Sequence, residues 1–245
     1  MKSNTPHLSV VIPAYNESKR IGDTLQEVTA FLNAQVYASE IIVVDDGSTD
    51  NLHSVVKKFA KKSPNIRCIR YEKNKGKGFA VREGMRNATG EYRLFMDADN
   101  SVSIEHIDTF IKEAQNGYDV VIGSILLPHM RNAVEKNGWH RVLLRRITKL
   151  IRTILINIDV YDTQRGFKLF SALAADRLFA LHRVERFGFD IELLVLAQLL
   201  RFPIKELSVE WINPAGSKVT LLSYPHSLFE LLTIRFNVLL RRYNM

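Results

Sequence analysis

The chain has 245 residues, of which 46% are hydrophobic, so it can bury the core of one large domain. Its formal net charge of +8 favours anionic partners such as nucleic acid, lipid headgroups or phosphorylated small molecules. The single cysteine excludes an internal disulfide and fits a reducing compartment. No run of about 20 uncharged apolar residues occurs and the start of the chain is polar, so we expect neither a membrane-spanning helix nor a signal peptide.

The first half of the chain alternates short apolar runs with helical patterns. Five of these runs are predicted strands, at residues 8–13, 40–44, 66–71, 92–96 and 119–123. Strands this apolar are usually buried on both faces. The pattern therefore predicts an α/β fold with a mainly parallel central sheet and helices on both faces.

Polar clusters follow three of these strands, at residues 15–17, at 45–46 and at 97–100. Ligands bind beyond the carboxyl ends of parallel strands, so we expect the three clusters to meet at one rim of the sheet. Asp97 and Asp99 stand two residues apart, and in extended backbone their carboxylates share a face and repel each other. A Mg²⁺ or Mn²⁺ ion that also binds a diphosphate would relieve this repulsion. The alternative is a solvated turn, because Asp and Asn favour turns.

The glycines of this half do not form a dinucleotide-binding fingerprint or a Walker phosphate loop. Gly76 and Gly78 follow the third strand instead, beside Lys73, Lys75 and Lys77. These lysines at a helix start could meet a phosphate, or they could form a solvated turn.

Basic amphipathic segments mark the second half of the chain. Apolar residues recur at helical spacing over 139–158 and again over 228–243, with arginine or lysine residues flanking both stripes. Such helices either pack their stripe on the sheet or lie in a membrane interface, and we expect peripheral membrane association. Between the two segments, Asp190 and Glu192 occur in an otherwise apolar predicted helix, where charged groups are seldom buried without a partner.

The order and spacing of the motifs at 11–17, 43–50, 74–78 and 97–99 resemble the family 2 glycosyltransferases. Later motifs are similar to those of the polyprenyl-phosphate branch, above all the dolichyl-phosphate β-glucosyltransferases, with the polyprenyl-phosphate mannose synthases next. These later motifs lie at 162–170, 189–194, 209–211 and 216–218.

The resemblance implies a GT-A fold and an inverting sugar transfer. The implied reaction moves glucose from UDP-glucose to a dolichyl or undecaprenyl phosphate at the cytoplasmic membrane surface, with Mg²⁺ or Mn²⁺ as cofactor. It also implies a single domain, in which residues 1–125 form the nucleotide-binding half and residues 126–245 form the half that faces acceptor and membrane. The eukaryotic members carry an N-terminal membrane anchor, which we do not expect in this chain. Either the amphipathic segments dock the protein, or the acceptor is not a long lipid.

Site residues follow from the resemblance by position. The nucleotide-sugar pocket is assigned Pro13, Tyr15, Glu17, Asp45, Asp46, Lys77 and Asp97. The metal is assigned Asp97 and Asp99, and the candidates for a catalytic base are Asp190 and Asp162. Relatives commonly have an arginine after the Gly-Ser that ends the fifth strand, where this chain has Ile125. The acceptor phosphate is therefore expected to contact residues from the set Arg131, Arg141, Arg145 and Lys168.

With a phosphate acceptor, Asp162 and Asp190 need not act as a general base. A phosphate monoester has its second pKa at about 6, so it is largely ionised near neutral pH and needs less help than a hydroxyl. Asp162 or Asp190 would then orient the acceptor or organise cations instead of removing a proton. The alternatives are another donor, such as GDP-mannose or a different UDP-sugar, and a polysaccharide hydroxyl as acceptor. A basic nucleic-acid-binding protein is the distant alternative; the acidic rim would repel phosphates, so we expect no nucleic-acid partner.

Overall fold

The computed structural model describes residues 5–125, 160–212 and 223–243, and the side chains of all of these except 223–228. Within those ranges, one sheet contains β1 (Leu8–Ala14), β2 (Ser39–Asp46), β3 (Ile66–Tyr71), β4 (Tyr92–Met96), β5 (Val120–Ser124), β6 (Phe167–Ser171) and β7 (Ile204–Ser208). The strand order is β3-β2-β1-β4-β6-β5-β7. Every neighbouring pair is parallel except the two pairs made by β6, which runs antiparallel between β4 and β5.

The helices cover both faces of this sheet. They are α1 (Ile21–Asn33), α2 (Leu52–Lys62), α3 (Lys77–Asn87), α4 (Ile107–Gln115), α5 (Ala172–Leu181), α6 (Phe189–Leu199) and α7 (Ser223–Leu239), and a 3-10 turn (Ile104–His106) leads into α4. One core layer contains α1, α2 and α4, and the other contains α3, α5, α6 and part of α7. The predicted α/β architecture is confirmed.

Alternation along β1 shows how the two layers arise. Val10 and Ile12 pack into the core of α1, α2 and α4, whereas Val11 between them packs into the opposite core. All seven residues of β1 are buried. A strand covered on both faces must be apolar at every position, which is why its sequence reads as a continuous run.

The strands β1 to β5 lie within two residues of their predicted positions. Asp45 and Asp46, expected in a loop, are instead the last two residues of β2. A last apolar run over 204–211 also predicts a strand, and β7 occupies its first part but ends at Ser208. The helix α5 was not predicted. The predicted helix over 139–158 lies outside the described residues. No helix in the described ranges is both long and apolar enough to cross a bilayer.

Candidate active site

The loops after β1 and β2 are bonded to each other at the carboxyl edge of the sheet. The amide of Asn16 donates to Ser48 Oγ at 3.0 Å, and Asn16 Oδ1 accepts the amide of Thr49 at 2.9 Å. The amide of Ser18 donates to Asp50 Oδ2 at 3.0 Å. Asn16 has a φ of +54°, a left-handed conformation that asparagine tolerates better than most residues. The first two predicted polar clusters therefore meet.

Arg20 connects the first cluster to the third. Its guanidinium donates to both carboxylate oxygens of Glu17, at 2.6 and 2.7 Å, and lies 3.7 Å from Asp99 Oδ2. Thr24 Oγ1 donates to the carbonyl of Ala98 at 2.8 Å, which holds the acidic segment against α1. The convergence of the three clusters is confirmed. Arg20 was not singled out from the sequence, although its spacing of three residues from Glu17 at a helix start was a signal.

Lys77, the first residue of α3, pairs with Asp97 just after β4. Lys77 Nζ lies 2.6 Å from Asp97 Oδ1. Burial disfavours the ammonium, but the carboxylates of Asp97, Asp190 and Asp99 outweigh it and raise the pKa of Lys77. The amide of Asp97 donates to the carbonyl of Gly166 at 3.1 Å, so the loop before β6 also fixes this carboxylate.

Asp45 and Asp46 face different neighbours at the end of β2. Asp46 accepts the amides of Lys75 at 2.9 Å and Gly76 at 2.8 Å, so it shapes the glycine-containing turn before α3. Burial raises the pKa of Asp46 although both amides favour the anion. Asp45 Oδ1 accepts the amide of Ser48 at 2.9 Å. The other oxygen of Asp45 is buried and makes no hydrogen bond within the described residues, but it lies 3.5 Å from Arg70 Nε and 4.0 Å from His53 Nδ1.

Asp190 and Lys168 form a buried ion pair behind Lys77. Lys168 Nζ lies 2.5 Å from Asp190 Oδ1 and also donates to the carbonyl of Arg165. The Lys168 residue is 0% exposed and Asp190 is 3% exposed. Burial raises the pKa of Asp190 despite the nearby ammonium groups of Lys168 and Lys77. The expectation that carboxylates of this apolar helix are partnered is confirmed.

Asp162 lies at the same rim, in the turn before β6. Asp162 Oδ2 accepts Arg165 Nε at 2.9 Å, and the Asp162 amide donates to Glu206 Oε1 at 2.8 Å. The Arg165 guanidinium stands 4.8 Å from the centre of the Trp211 ring. Asp162 is therefore held by Arg165 and by Glu206 of β7. No sequence pattern indicated the bond to Glu206.

The remaining predicted residues fall into three groups. Tyr15 is 40% exposed at the rim, whereas Pro13 is buried inside β1. Lys168 is at the site, but its ammonium is enclosed. The other residues expected to contact acceptor phosphate lie outside the described residues, namely Arg131, Arg141 and Arg145.

The acidic motif has the chemistry of a site for a hard divalent cation. The side chains of Asp97 and Asp99 are each 25% exposed, and both act electrostatically on Lys77, so they border one space. Among the described residues there is no group of three or more His, Cys, Asp or Glu that could enclose a metal. Magnesium is typically held by one or two carboxylates with substrate phosphates and waters completing the shell. Two aspartates at an open rim fit that arrangement.

The sequence matches one protein family and several curated proteins. The family described as "Glycosyl transferase family 2" matches residues 9–179. A dolichyl-phosphate β-glucosyltransferase of Dictyostelium discoideum is 35% identical over 247 residues, covering 96% of this chain and 75% of that protein. The human dolichyl-phosphate β-glucosyltransferase is 36% identical, covering 89% of this chain and 71% of that protein.

Solved structures share the fold at much lower identity. Glucosyl-3-phosphoglycerate synthase from Mycobacterium tuberculosis, in complex with Mn²⁺, uridine diphosphate and glucosyl-3-phosphoglycerate, aligns with a TM-score of 0.67 and 19% identity. That alignment covers 98% of this chain and 81% of the other. Mannosyl-3-phosphoglycerate synthase from Rubrobacter xylanophilus gives a TM-score of 0.67 at 15% identity, with coverage of 98% and 76%. These neighbours establish a GT-A-like fold.

Proposed function

The chain belongs to glycosyl transferase family 2, and we propose that it moves glucose from UDP-glucose to a polyprenyl phosphate, with inversion at the sugar. The observation that carries this proposal is the cluster of paired charges at the rim, Lys77 with Asp97 and Lys168 with Asp190. The diphosphate leaving group and the phosphate acceptor are both anions. Two lysine ammonium groups can stabilise their negative charges, and the carboxylates between the lysines keep the two anions at separate positions. The similarity to the dolichyl-phosphate β-glucosyltransferases of Dictyostelium discoideum and human supports this acceptor.

We assign donor binding to the half of the chain formed by residues 1–125. Tyr15 is exposed at the rim and can stack on a base. Asp45 precedes Asp46 at the end of β2, where its Oδ2 lies 3.5 Å from Arg70 Nε, and we assign it to supporting the base pocket. Each oxygen of Asp46 accepts one amide and retains a lone pair for a base N–H. In this arrangement Pro13 and Glu17 support the pocket from β1 and its loop.

We assign the metal to Asp97 and Asp99, as Mg²⁺ or Mn²⁺, and the complex of a fold neighbour with Mn²⁺ and uridine diphosphate supports this. When bound, the ion would neutralise charge that develops on the departing diphosphate. Lys77 adds a second positive group beside Asp97, and its raised pKa keeps it charged. The charge of Lys77 therefore favours breaking the bond between the sugar and the diphosphate.

The acceptor step follows from the protonation states. An oxygen of the acceptor phosphate attacks the anomeric carbon as the bond to the diphosphate breaks, and an ionised phosphate has no proton to lose. Asp190 is already engaged by the buried ammonium of Lys168. We therefore assign Asp190 to organising Lys168 and Lys77, and Asp162, bonded to Arg165, to orienting the acceptor side. The acceptor phosphate would also contact arginines of the segment 126–159.

The C-terminal helix supports association with a membrane surface. Outward-facing side chains of α7 and the residues after it include Phe229, Phe236, Leu239 and Leu240, which are 58–69% exposed. Arg235, Arg241 and Arg242 are exposed around them. An apolar stripe bordered by arginines matches an interface with anionic lipid headgroups. We propose that the protein lies peripherally on the cytoplasmic face of a membrane, with residues 126–245 toward the lipid.

A transfer assay tests the proposed function. Purified protein is incubated with UDP-glucose, GDP-mannose or other UDP-sugars, with Mg²⁺ or Mn²⁺, and with a short polyprenyl phosphate beside a soluble sugar acceptor. We expect glucosyl lipid phosphate as the product, loss of activity with EDTA, and no activity in Asp99→Ala at unchanged circular dichroism. A product linked only to a hydroxyl would overturn the acceptor, and full activity of Asp99→Ala would overturn the metal assignment.

A further inference from the structure

Residues 182–188, which we call the bridging segment, connect α5 to α6 and lie against the start of α3. The amide of Phe79 donates to the carbonyl of Glu185 at 3.0 Å. A Cβ atom on Gly78 would fall 2.4 Å from the carbonyl oxygen of Val184. The backbone of the bridging segment therefore touches the backbone beside Lys77, and a shift of one must move the other.

A buried carboxylate holds the bridging segment from the opposite side. Glu192 is 0% exposed, and its Oε2 accepts the amides of Arg183 at 2.9 Å and Val184 at 2.8 Å. Its Oε1 accepts the hydroxyl of Tyr243 at 2.6 Å, from the residues that follow α7. Amides buried without an acceptor are costly, so these bonds fix the start of the bridging segment on α6.

The C-terminal helix also fixes the end of the bridging segment. Glu230 Oε2 accepts the amide of Gly188 at 2.8 Å, two residues before Asp190. The Arg183 guanidinium donates to the carbonyl of Arg242 at 2.7 Å. Both ends of the segment are thus bonded to the C-terminal region that carries the exposed apolar stripe.

We propose that Glu192 and Tyr243 are positioning residues for the donor site, an inference that rests on the proposed function. By holding the bridging segment on α6, they set the position of the α3 start and keep the ammonium of Lys77 beside Asp97. Neither residue contacts Lys77. Their effect on transfer passes through the backbone contacts of Val184 and Glu185 with α3.

The variants separate position from charge. Glu192→Ala removes the acceptor of the Arg183 and Val184 amides, and we expect kcat/KM for the donor to fall about 10²-fold, as small misplacements of a catalytic group can cause. Glu192→Gln keeps a carbonyl oxygen for the amides and can donate its NH₂ to the Tyr243 hydroxyl oxygen, so it should retain activity within about threefold. Tyr243→Phe should give a loss between these two. The acceptor KM should change little in all three.

A double-mutant cycle with Lys77→Ala distinguishes positioning from general destabilisation. If Glu192 acts through Lys77, then Glu192→Ala should add little to the loss caused by Lys77→Ala. The matched control is Arg93→Met, which removes a buried guanidinium and its contact with the exposed Asp176 at the opposite end of β4. Its effect should multiply with that of Lys77→Ala. All variants are assayed well below their unfolding temperatures.

The cycle is also measured by calorimetry of UDP binding with Mn²⁺, which needs no acceptor. If the unmodified protein transfers no sugar to any acceptor, the proposed function fails and the binding cycle still tests the positioning role. Weaker UDP binding in Glu192→Ala that disappears in the Lys77→Ala background supports the inference. Wild-type behaviour of Glu192→Ala, or losses that multiply in the double variant, would overturn it while the transferase function stood.

Discussion

The Asp97 side chain packs against the Cα atom of Gly166 so closely that no side chain larger than hydrogen fits at position 166. A Cβ atom on Gly166 would fall 2.1 Å from Asp97 Oδ2 and 2.2 Å from its Cγ. The same glycine accepts the Asp97 amide through its carbonyl oxygen. The loop that leads into the antiparallel strand β6 therefore sets where the acidic motif can stand.

Gly166→Ala should reduce transfer without unfolding the protein. The added methyl group would force the Asp97 carboxylate out of its rotamer and away from Lys77, and we expect kcat/KM to fall about 10²-fold. Chemical denaturation should show a stability loss of about 1–3 kcal/mol, the usual range for overpacking. Gly22→Ala is the control, because its Cβ would meet Val55 at an ordinary 3.8 Å. Equal activity of Gly166→Ala and wild type would contradict the close placement.

The buried pair of Lys168 and Asp190 predicts separate effects on stability and activity. Asp190→Ala leaves the Lys168 ammonium buried without its carboxylate, and we expect a loss of about 3–5 kcal/mol in unfolding free energy. Adding Lys168→Met removes the buried charge and should restore most of that stability, while transfer stays low because the charge pattern is gone. Urea unfolding and the transfer assay measure the two effects.

The control for that pair is Asp176→Ala, which breaks another carboxylate contact with a buried cation, Arg93. Asp176 is 65% exposed at its side chain, so solvent screens the interaction and the loss should be about 1 kcal/mol or less. If the double variant of Lys168 and Asp190 regained activity together with stability, the pair would be structural alone.

Much of the fold follows from sequence because β1, β2, β4 and β5 are buried on both faces over most of their length, and such burial requires a continuous apolar run. The edge strand β3 is only partly buried. The insertion of β6 between β4 and β5 could not be predicted, because pairing partners depend on tertiary packing. The helix α5 had a local signal that was missed. Ser171 accepts the amide of Ala174 at 3.2 Å as an N-cap, and Leu178 and Phe179 are buried at helical spacing.

The composition of the rim was also predictable, since parallel strands deliver their following residues to one edge. The pairing of charges was not. In the sequence, Lys168 is one polar position in a predicted strand. Its buried ammonium is explained only by Asp190, which reaches it from α6. Likewise, the sequence shows Gly166 only as a turn residue, and its close contact with the Asp97 carboxylate is evident only in the structure.

The apolar stripe on α7 predicts binding to lipid vesicles. Phe236 and Leu239 are 58% and 59% exposed, and burying such side chains in lipid contributes about 1–2 kcal/mol each. Phe236→Ser with Leu239→Ser should therefore lower partitioning onto anionic vesicles at least about tenfold in a cosedimentation assay. Val36→Ser, at an exposed apolar residue after α1, is the control and should bind as wild type does. Unchanged partitioning of the double variant would remove α7 from the membrane face.

His182 should make the protein less stable as the pH falls below neutrality. Its ring lies between Phe179 and Phe189, and its Nε2 is 3.3 Å from Glu192 Oε2, a buried carboxyl whose own pKa is raised by burial. Burial, together with the charges of Arg82 and Arg86, lowers the pKa of His182 to about 3. The pKa of histidine in the unfolded chain is about 6.5. Between about pH 3 and pH 6.5 the unfolded chain therefore binds a proton at His182 that the folded protein does not bind. Stability conferred by the neutral ring is therefore present above pH 6.5 and is lost progressively toward pH 3, by about 2 kcal/mol at pH 5.

The test compares urea unfolding of wild type and His182→Gln at pH 7, 6 and 5. His182→Gln cannot titrate, so its unfolding free energy should fall less over this range than that of wild type, by about 2 kcal/mol. The neighbouring Glu192 acts in the opposite direction. Burial raises its pKa, so the folded protein binds this proton more tightly than the unfolded chain does, and its contribution to the unfolding free energy increases as the pH falls. Phe179→Leu changes packing against the same ring and removes no titrating group, so it should keep the wild-type slope. Parallel slopes for His182→Gln and wild type would mean that the ring becomes protonated inside the folded protein.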